Sequence, residues 1–387
     1  MKVALVAEWL DAWRGGAETS TLQFMHHLMD GGVELHIFTR SRPSPTPGLH
    51  VHTITGAAMT RTRRSVTFAR RVQRLLKEDS FEVVHAISPC LGADIYQPRG
   101  GTVAETIRRN VAIRPTVTGR SLKRCTSRLN FKQRYMLAME RRLLAPGEGP
   151  IVVAISDYVV RQLKEHYGLP DRRIHKVYNG VDPDGASDEE RAANRAALRR
   201  EFDIADDELA VLLVAHNFRL KGVRWWLEAL SRLCQQSERR VRSLVVGRGD
   251  SGRWHRLAVR LGVDKVLTFT GPSNRVPAFR HAVDVLVHPT YYDPCSRVVL
   301  EGLASGLPCI TTRWDGAAEM IEDGFSGFVL QDPDDVDGLV DRIQRLGDAD
   351  LRSRMGQAAR RTAERASMAR HTAGMIELYQ LLTPAGA

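Results

Sequence analysis

Asp293 and Glu301 stand eight residues apart in the stretch His288-Pro289-Thr290-Tyr291-Tyr292-Asp293-Pro294-Cys295-Ser296-Arg297-Val298-Val299-Leu300-Glu301. The apolar run ahead of them, 283–288, reads as a strand, and residues 297–305 read as a helix. Asp293 then lies in a strand-end loop and Glu301 one turn into the helix, so both can face one ligand. A carboxylate is the acceptor that ribose or hexose hydroxyls require. Glu301, with Leu300 and Leu303 around it, needs such a partner if it is buried. Upstream, His216-Asn217-Phe218-Arg219-Leu220-Lys221-Gly222 leads from the apolar run 210–214 into another helix. Arg219 offers bidentate hydrogen bonds and Lys221 a point charge beside a helix N-terminus, which together cradle a diphosphate. The competing readings are a solvated helix face at Glu301 and a solvated basic turn at 216–222.

Two glycine-bearing loops follow strands as well. In Arg14-Gly15-Gly16-Ala17-Glu18, adjacent glycines let backbone N–H groups approach an anion at a helix start, although a plain turn has the same composition. Val245-Val246-Gly247-Arg248-Gly249-Asp250-Ser251-Gly252 is a formal G-x-G-x-x-G. A dinucleotide site needs an acid about 20 residues further on, at the end of the next strand. That strand, 266–270, ends in Gly271-Pro272 instead. The loop reads better as a neighbour of a nucleotide base.

Elements that could position these loops alternate along the whole chain. Strand-like runs at 3–7, 34–38, 49–53, 83–86 and 151–154 are separated by helical patterns at 18–29, 63–76, 121–144 and 157–166. Turn residues at 167–184 mark a boundary. The series restarts with strands at 210–214, 243–246, 266–270, 283–288, 309–312 and 327–330, and helices at 222–234, 253–261, 297–305 and 336–345. The tail 351–382 is helical by pattern. Such βα alternation builds parallel sheets. The expected class is α/β, with two Rossmann-like domains whose sheets face across a cleft. The expected divisions are 1–172, 173–365 and a C-terminal helix, 366–387, returning to the first domain.

The 387 residues carry 56 Lys and Arg against 45 Asp and Glu, a net charge of +11, with 43% hydrophobic and 26% charged residues. Those proportions exclude a disordered chain or a fibre. No run of about 18 apolar residues exists to span a bilayer, and Glu8 interrupts any signal-peptide core. Five scattered cysteines with no C-x-x-C pair suggest neither a disulfide framework nor a zinc site. A cytoplasmic setting is expected, at the inner face of the membrane if the chain binds lipid. Residues 1–175 hold 27 basic and 15 acidic residues, and 61–142 alone hold 19 and 6. The excess belongs to one half and points to an anionic partner. Without a helix-turn-helix, zinc-finger or RNP signature, that partner is not expected to be nucleic acid.

The stretch 177–345 resembles family 4 of the retaining glycosyltransferases, enzymes of the GT-B fold, with looser agreement in the first half. The resemblance is carried by Tyr178-Asn179-Gly180-Val181-Asp182, Lys221-Gly222, Val246-Gly247, Val283-Asp284-Val285-Leu286-Val287-His288-Pro289, the acid-plus-seven-plus-Glu spacing ending at Glu301, Gly316/Glu319 and Gly324/Gly327. His288-Pro289-Thr290-Tyr291 and Gly92-Ala93-Asp94-Ile95-Tyr96 are similar to the lipopolysaccharide core glucosyltransferase group. The resemblance implies that Arg219 and Lys221 neutralise a leaving nucleoside diphosphate and that Asp293 addresses the donor sugar. It assigns Glu301 to the ribose. Donor contacts are implied for Gly15, Gly16, Gly222, Gly247, Ser296, Arg297 and Val298, several through backbone amides.

Four positions depart from the family pattern. Asp293 stands where a Glu is usual, and His216 where many members have Arg. Pro294 removes an N–H just after the acid. Gly100 stands near the position where the core glucosyltransferases have Asp. No Asp-x-Asp pair is read as a metal motif, so cations rather than a metal ion are expected to stabilise the departing phosphate. No cofactor is expected, and UDP is the expected leaving nucleotide. His85 is the acceptor-side candidate, with a structural strand-end histidine as its rival. The expected acceptor is an anionic or phosphorylated glycan or glycolipid, and the 61–76 helix, with Val66, Phe68, Leu75 and Leu76, the expected membrane face. The other readings are a GT-B sugar-nucleotide epimerase and a basic nucleic-acid-binding protein.

Overall fold

A computed structural model describes residues 1–11, 15–56, 60–236 and 240–383. The chain divides into two compact units, Met1–Gly180 with Met368–Ala387, and Val181–Ser367. No helix among the described residues is long and apolar enough to cross a membrane.

Among the described residues the first unit contains seven strands: β1 Lys2–Val6, β2 Glu34–Thr39, β3 Leu49–Thr53, β4 Val83–Ala86, β5 Ile95–Tyr96, β6 Ile151–Ala154 and β7 Ile174–Lys176. They pair in the order β3-β2-β1-β4-β5-β6-β7, every pair parallel. The second unit adds β8 Leu209–Val214, β9 Val241–Val246, β10 Leu267–Gly271, β11 Val285–Val287, β12 Cys309–Thr312 and β13 Gly327–Leu330. Their order is β10-β9-β8-β11-β12-β13, again all parallel. Both sheets reverse strand order beside their first strand, the doubly wound Rossmann pattern.

Sequence explains the layers. β8 reads Leu-Ala-Val-Leu-Leu-Val with no polar alternation, because helices cover both faces of such a sheet. The helix Val223–Gln236 buries Val223, Trp226, Leu227, Leu230 and Leu233, one stripe at helical spacing. Trp226 is fully buried, and its indole N–H donates to Ser243 Oγ at 2.8 Å.

The expected division at 172/173 is corrected to Gly180/Val181, because β7 at Ile174–Lys176 completes the first sheet. The chain leaves the second unit at Ser367, not 365. There Val181 N donates to Ala366 O at 3.0 Å, and Val181 and Ser367 form an isolated parallel bridge. The tail is two helices, Ala349–Ala363 and Met368–Leu382. The second places Met368, Met375, Leu378 and Tyr379 in the first unit's core with Phe24, Leu28 and Val153. The helix expected at 121–144 is also two, Val117–Leu129 and Phe131–Leu143. They part at Asn130, whose side chain caps the second by accepting from Gln133 N.

Glycines hold the strand-end loops in place. At Gly247 φ is +134°, and a Cβ would lie 1.8 Å from Ala215 O. At Gly92 φ is +84°, and nothing lies within 4 Å of a Cβ. Gly92→Ala is therefore expected to cost about 1 kcal/mol of backbone strain. Gly247→Ala adds a collision with backbone and is expected to cost about 3 kcal/mol or more. Urea denaturation of both variants checks the difference.

Candidate active site

In the second sheet, β8 has β9 on one side and β11 on the other, so the loops leaving β8 and β11 part at a topological switch point. The β8 loop turns tightly. Asn217 Oδ1 accepts from Leu220 N at 3.2 Å, and Lys221 N donates to Asn217 O at 2.9 Å. Gly222, with φ +70°, follows; a Cβ there would be 2.0 Å from Pro289 O. Tyr291 N donates to Leu220 O at 2.9 Å, fastening the two loops to each other. Trp225 Nε1 adds a 2.6 Å hydrogen bond to Tyr291 Oη.

That closure brings Lys221 to Asp293. The ammonium pairs with Asp293 Oδ2 and lies 3.3 Å from Tyr292 O. The two side chains are 16% and 17% exposed, so the pair still meets solvent on one side. His288 Nε2 is 3.5 Å from the same carboxylate oxygen and 3.3 Å from Ser296 Oγ. Burial opposes ionisation of Asp293, but the Lys221 charge and the His288 contact outweigh it and hold the carboxyl well below the usual range. Asp315, fully buried, moves the other way, because burial and the nearby Asp293 charge both favour its protonated form. Asp315 accepts from Ser296 N and Ala317 N at 2.9 Å each, and from Thr311 Oγ1 at 2.9 Å.

Glu301 sits in a second cluster. Its Oε2 accepts from Arg280 Nη1 at 2.9 Å, and its Oε1 pairs with Arg297 Nε at 2.6 Å. Arg280 Nε also donates to Ser305 Oγ at 2.9 Å. Burial followed by the Arg248 and Lys221 charges lowers the pKa of His216, so this histidine is neutral at pH 7 amid positive charge. Arg219 is half-buried in the same loop.

Several expected roles change. Ser296 N already donates to Asp315, so the sugar or phosphate contact expected of this amide is corrected. Ser296 Oγ caps Val299 N at 3.4 Å. Arg297 N and Val298 N remain as first-turn donors of the helix Arg297–Ala304. Gly247 N likewise donates to Gly271 O at 2.8 Å, so Gly247 serves as a close-packing position. Gly249 does the same, since a Cβ would be 2.4 Å from the Phe218 ring.

In the first unit, Gly15 is the N-cap of the helix Gly16–Asp30, which follows β1 at that sheet's own switch point. Arg14 lies outside the described residues. His85 is corrected from acceptor-side candidate to structural histidine. It is fully buried, its Nδ1 is 2.7 Å from Tyr379 Oη, and burial depresses its pKa strongly.

Asp-x-Asp spacings do occur in the sequence, and the structure employs members of each in local structure. Asp184 pairs with Arg191 and His281, Asp332 with Arg313, and Asp335 and Asp348 cap helices. The sequence reading gave no role to Arg280, Asp315 or Arg248. Arg280 had one available signal, a lone cation beside Phe279 in an apolar short helix.

A cationic cradle, two carboxylates and a helix N-terminus at the switch point of a parallel sheet suit a phosphorylated ligand bearing hydroxyls. Comparison with known proteins gives the class. The crystal structure of WaaG, a glycosyltransferase involved in lipopolysaccharide biosynthesis, matches with a TM-score of 0.82 over 99% of this chain and 100% of that one, at 23% identity. Anabaena Alr3699/HepE in complex with UDP-glucose matches at 0.71 over 98% and 100%, at 16% identity. The fold is GT-B.

Sequence comparison narrows the class. The family model described as Glycosyltransferase Family 4 matches residues 14–184, and that for Glycosyl transferases group 1 matches 209–348. The lipopolysaccharide glucosyltransferase WaaG of Escherichia coli (strain K12) is 26% identical over 368 residues, 95% of this chain and 93% of the relative. D-inositol 3-phosphate glycosyltransferase 2 of Catenulispora acidiphila is 31% identical over 214 residues, 51% of this chain and 49% of that one. The chain belongs to the family 4 glycosyltransferases.

The Lys221–Asp293 pair predicts a pH signature. With Lys221→Ala, burial dominates at Asp293 and raises its pKa above the unfolded value of about 3.9. A raised carboxyl contributes stability at low pH that is lost as pH climbs through the folded pKa. The variant's deficit against wild type should therefore grow from pH 5 to pH 7.5, reaching about 3 kcal/mol. Urea midpoints at the two pH values measure it, and adding Asp293→Asn should flatten the dependence.

Proposed function

We propose that this enzyme transfers a hexose, glucose, from UDP-glucose to a glycan or glycolipid hydroxyl with retention and without a metal ion. The observation that carries the reading is Lys221, held against Asp293 beside the N-terminus of the helix Arg297–Ala304. In this reading, Lys221, Arg219 and the Arg297 and Val298 amides stabilise the diphosphate as its bond to the sugar breaks. Asp293 accepts from donor-sugar hydroxyls and Glu301 from the ribose. The leaving phosphate takes the acceptor's proton, with attack on the face it departs from, and no protein base is assigned. WaaG supports glucose as the sugar and a lipopolysaccharide-core-like acceptor.

The acceptor is proposed to be anionic or membrane-borne. The helix Arg61–Leu75, expected to carry the membrane face, buries Phe68 and Val72 in the fold. The helices Val117–Leu129 and Phe131–Leu143 instead expose Val117, Leu122, Leu129 and Phe131 at 67–76%. Arg120, Arg124, Arg128, Lys132 and Arg134 stand exposed among them. Apolar side chains interleaved with cations suit an anionic bilayer surface.

A panel of UDP-, GDP- and ADP-sugars, read by thermal stabilisation and donor hydrolysis, tests the donor. UDP-glucose should give the largest response, and stabilisation by another sugar nucleotide alone overturns the assignment. Lys221→Ala should lower kcat/KM by about 100-fold or more; Asp293→Asn should reduce donor hydrolysis as well. Vesicles containing phosphatidylglycerol should sediment the enzyme at low salt and release it at high salt. The triple variant Leu122→Ser, Leu129→Ser, Phe131→Ser should remain in the supernatant.

A further inference from the structure

Far along the sequence from these motifs, β2 and β3 bring three histidines and an acid together. Strand β3 is an edge of the first sheet. The parallel register sets His36 against His50 and Phe38 against His52. Glu34, two residues before His36, shares its face. The His36 and His50 rings stack with centroids 4.4 Å apart and planes 14° from parallel. One ligand atom each from Glu34, His36 and His50 lies within 4.8 Å of the other two.

The hydrogen bonds around His36 have the geometry of a ligand set. Its Nε2 is 3.0 Å from Glu34 Oε1, and its Nδ1 is 3.0 Å from His52 Nε2. Zinc bonds of about 2.0–2.1 Å in a tetrahedron put neighbouring donors about 3.3 Å apart. The His36–Glu34 contact therefore spans a gap that needs to open only slightly for a metal ion. His50 presents a third donor beside it. His52 then accepts from His36 Nδ1–H, the outer contact that fixes a ligating imidazole. The neighbouring charges permit a cation. Lys2 is taken up by both oxygens of Asp79 at 2.8 Å, which leaves the Glu34 carboxylate without a competing partner from that ammonium.

We propose that Glu34, His36 and His50 bind one divalent transition-metal ion of the zinc type, with His52 as the hydrogen-bond partner of His36. Imidazole-rich donor sets favour zinc, copper and nickel over magnesium or calcium. The ion would clip the edge strand β3 to β2 and take the place of the His36–Glu34 hydrogen bond, with the His36 proton held on Nδ1 toward His52.

Titration calorimetry of the untagged, chelator-stripped full chain with zinc chloride tests this, with magnesium chloride as control. Zinc should bind one ion per chain and raise the unfolding temperature, and magnesium should do neither. Glu34 and His50 are exposed, so Glu34→Gln and His50→Gln leave the fold intact. Each should weaken zinc binding by about tenfold or more. Cobalt should give the visible absorption of a tetrahedral site in wild type and lose it in His50→Gln. Absence of zinc binding overturns the proposal. So does unchanged stoichiometry and affinity in the Glu34→Gln/His50→Gln double variant, which would place the ion elsewhere, for example at the exposed Cys125 or Cys234.

Discussion

The candidate site of the second unit depends on one backbone approach, the Cα of Gly222 against the carbonyl of Pro289. The loops after β8 and β11 leave a switch point where strand order reverses, and no ladder continues between them. Gly222 lets them close, and Tyr291 N on Leu220 O fixes the closure. Lys221 precedes the contact directly, so it is delivered to Asp293, four residues beyond Pro289. Asp293 is tied onward by its own backbone, with Asp293 N on Trp314 O at 2.9 Å and Gly316 N on Asp293 O at 3.0 Å. Three strand-end loops thus form one continuous support. A half-buried ion pair would not be retained for stability alone, because desolvation offsets much of its attraction. Held by backbone, it presents charge that needs no reorganisation, as the proposed departure of a diphosphate requires.

The sequence makes β1, β6, β8 and β11 legible because each is an almost unbroken apolar run, whereas β3, Leu-His-Val-His-Thr, and β10, Leu-Thr-Phe-Thr-Gly, show by apolar residues in alternation. β5 and β7 are two and three residues long, too short for any period to register. Missing β7 also misplaced the domain boundary. Turn chemistry at 167–184 marks a loop, whereas sheet membership decides which unit owns it. The break at Asn130 has no Gly or Pro to announce it, only a capping side chain. At the site, Lys221, Asp293 and Glu301 are legible by residue type and by their place after strands. Their partners Arg280, His288 and Asp315 become visible only when separate loops meet. His85 shows the converse. A strand-end position looks accessible in sequence, and the returning C-terminal helix covers it with Tyr379.

The charge excess also takes on structure. Part of it is internal to the first unit. Arg173 donates to the carbonyls of Leu143, Ala145, Gly147 and Pro150, and stitches a loop that no sheet holds. Arg109 pairs with the buried Glu105, and Arg99 bonds Ser20, Gln97 and His371. These cations satisfy buried acceptors and project little field. The exposed remainder concentrates on the helix Arg61–Leu75 and on the helices Val117–Leu129 and Phe131–Leu143. A formal sum over the half overstates its long-range pull, and the surface that can exert one is smaller and more local than the sum implies.

The departures around Asp293 are mutually consistent in the fold. Pro294 has no N–H to offer, and Ser296 N is spent on Asp315. The donors left to an anion are one step further into the helix, at Arg297 and Val298, where the macrodipole reinforces them. Asp293, shorter than a glutamate by one methylene, is the length that meets Lys221 and His288 together. Asp315, its pKa raised to about 7, carries only part of a negative charge near neutral pH. Lys221, Arg280, Arg297, Arg219 and Arg248 then outnumber Asp293 and Glu301. The site keeps a positive balance despite its carboxylates, which suits the proposed binding of a diphosphate with its hydroxyl-bearing groups on the carboxylates.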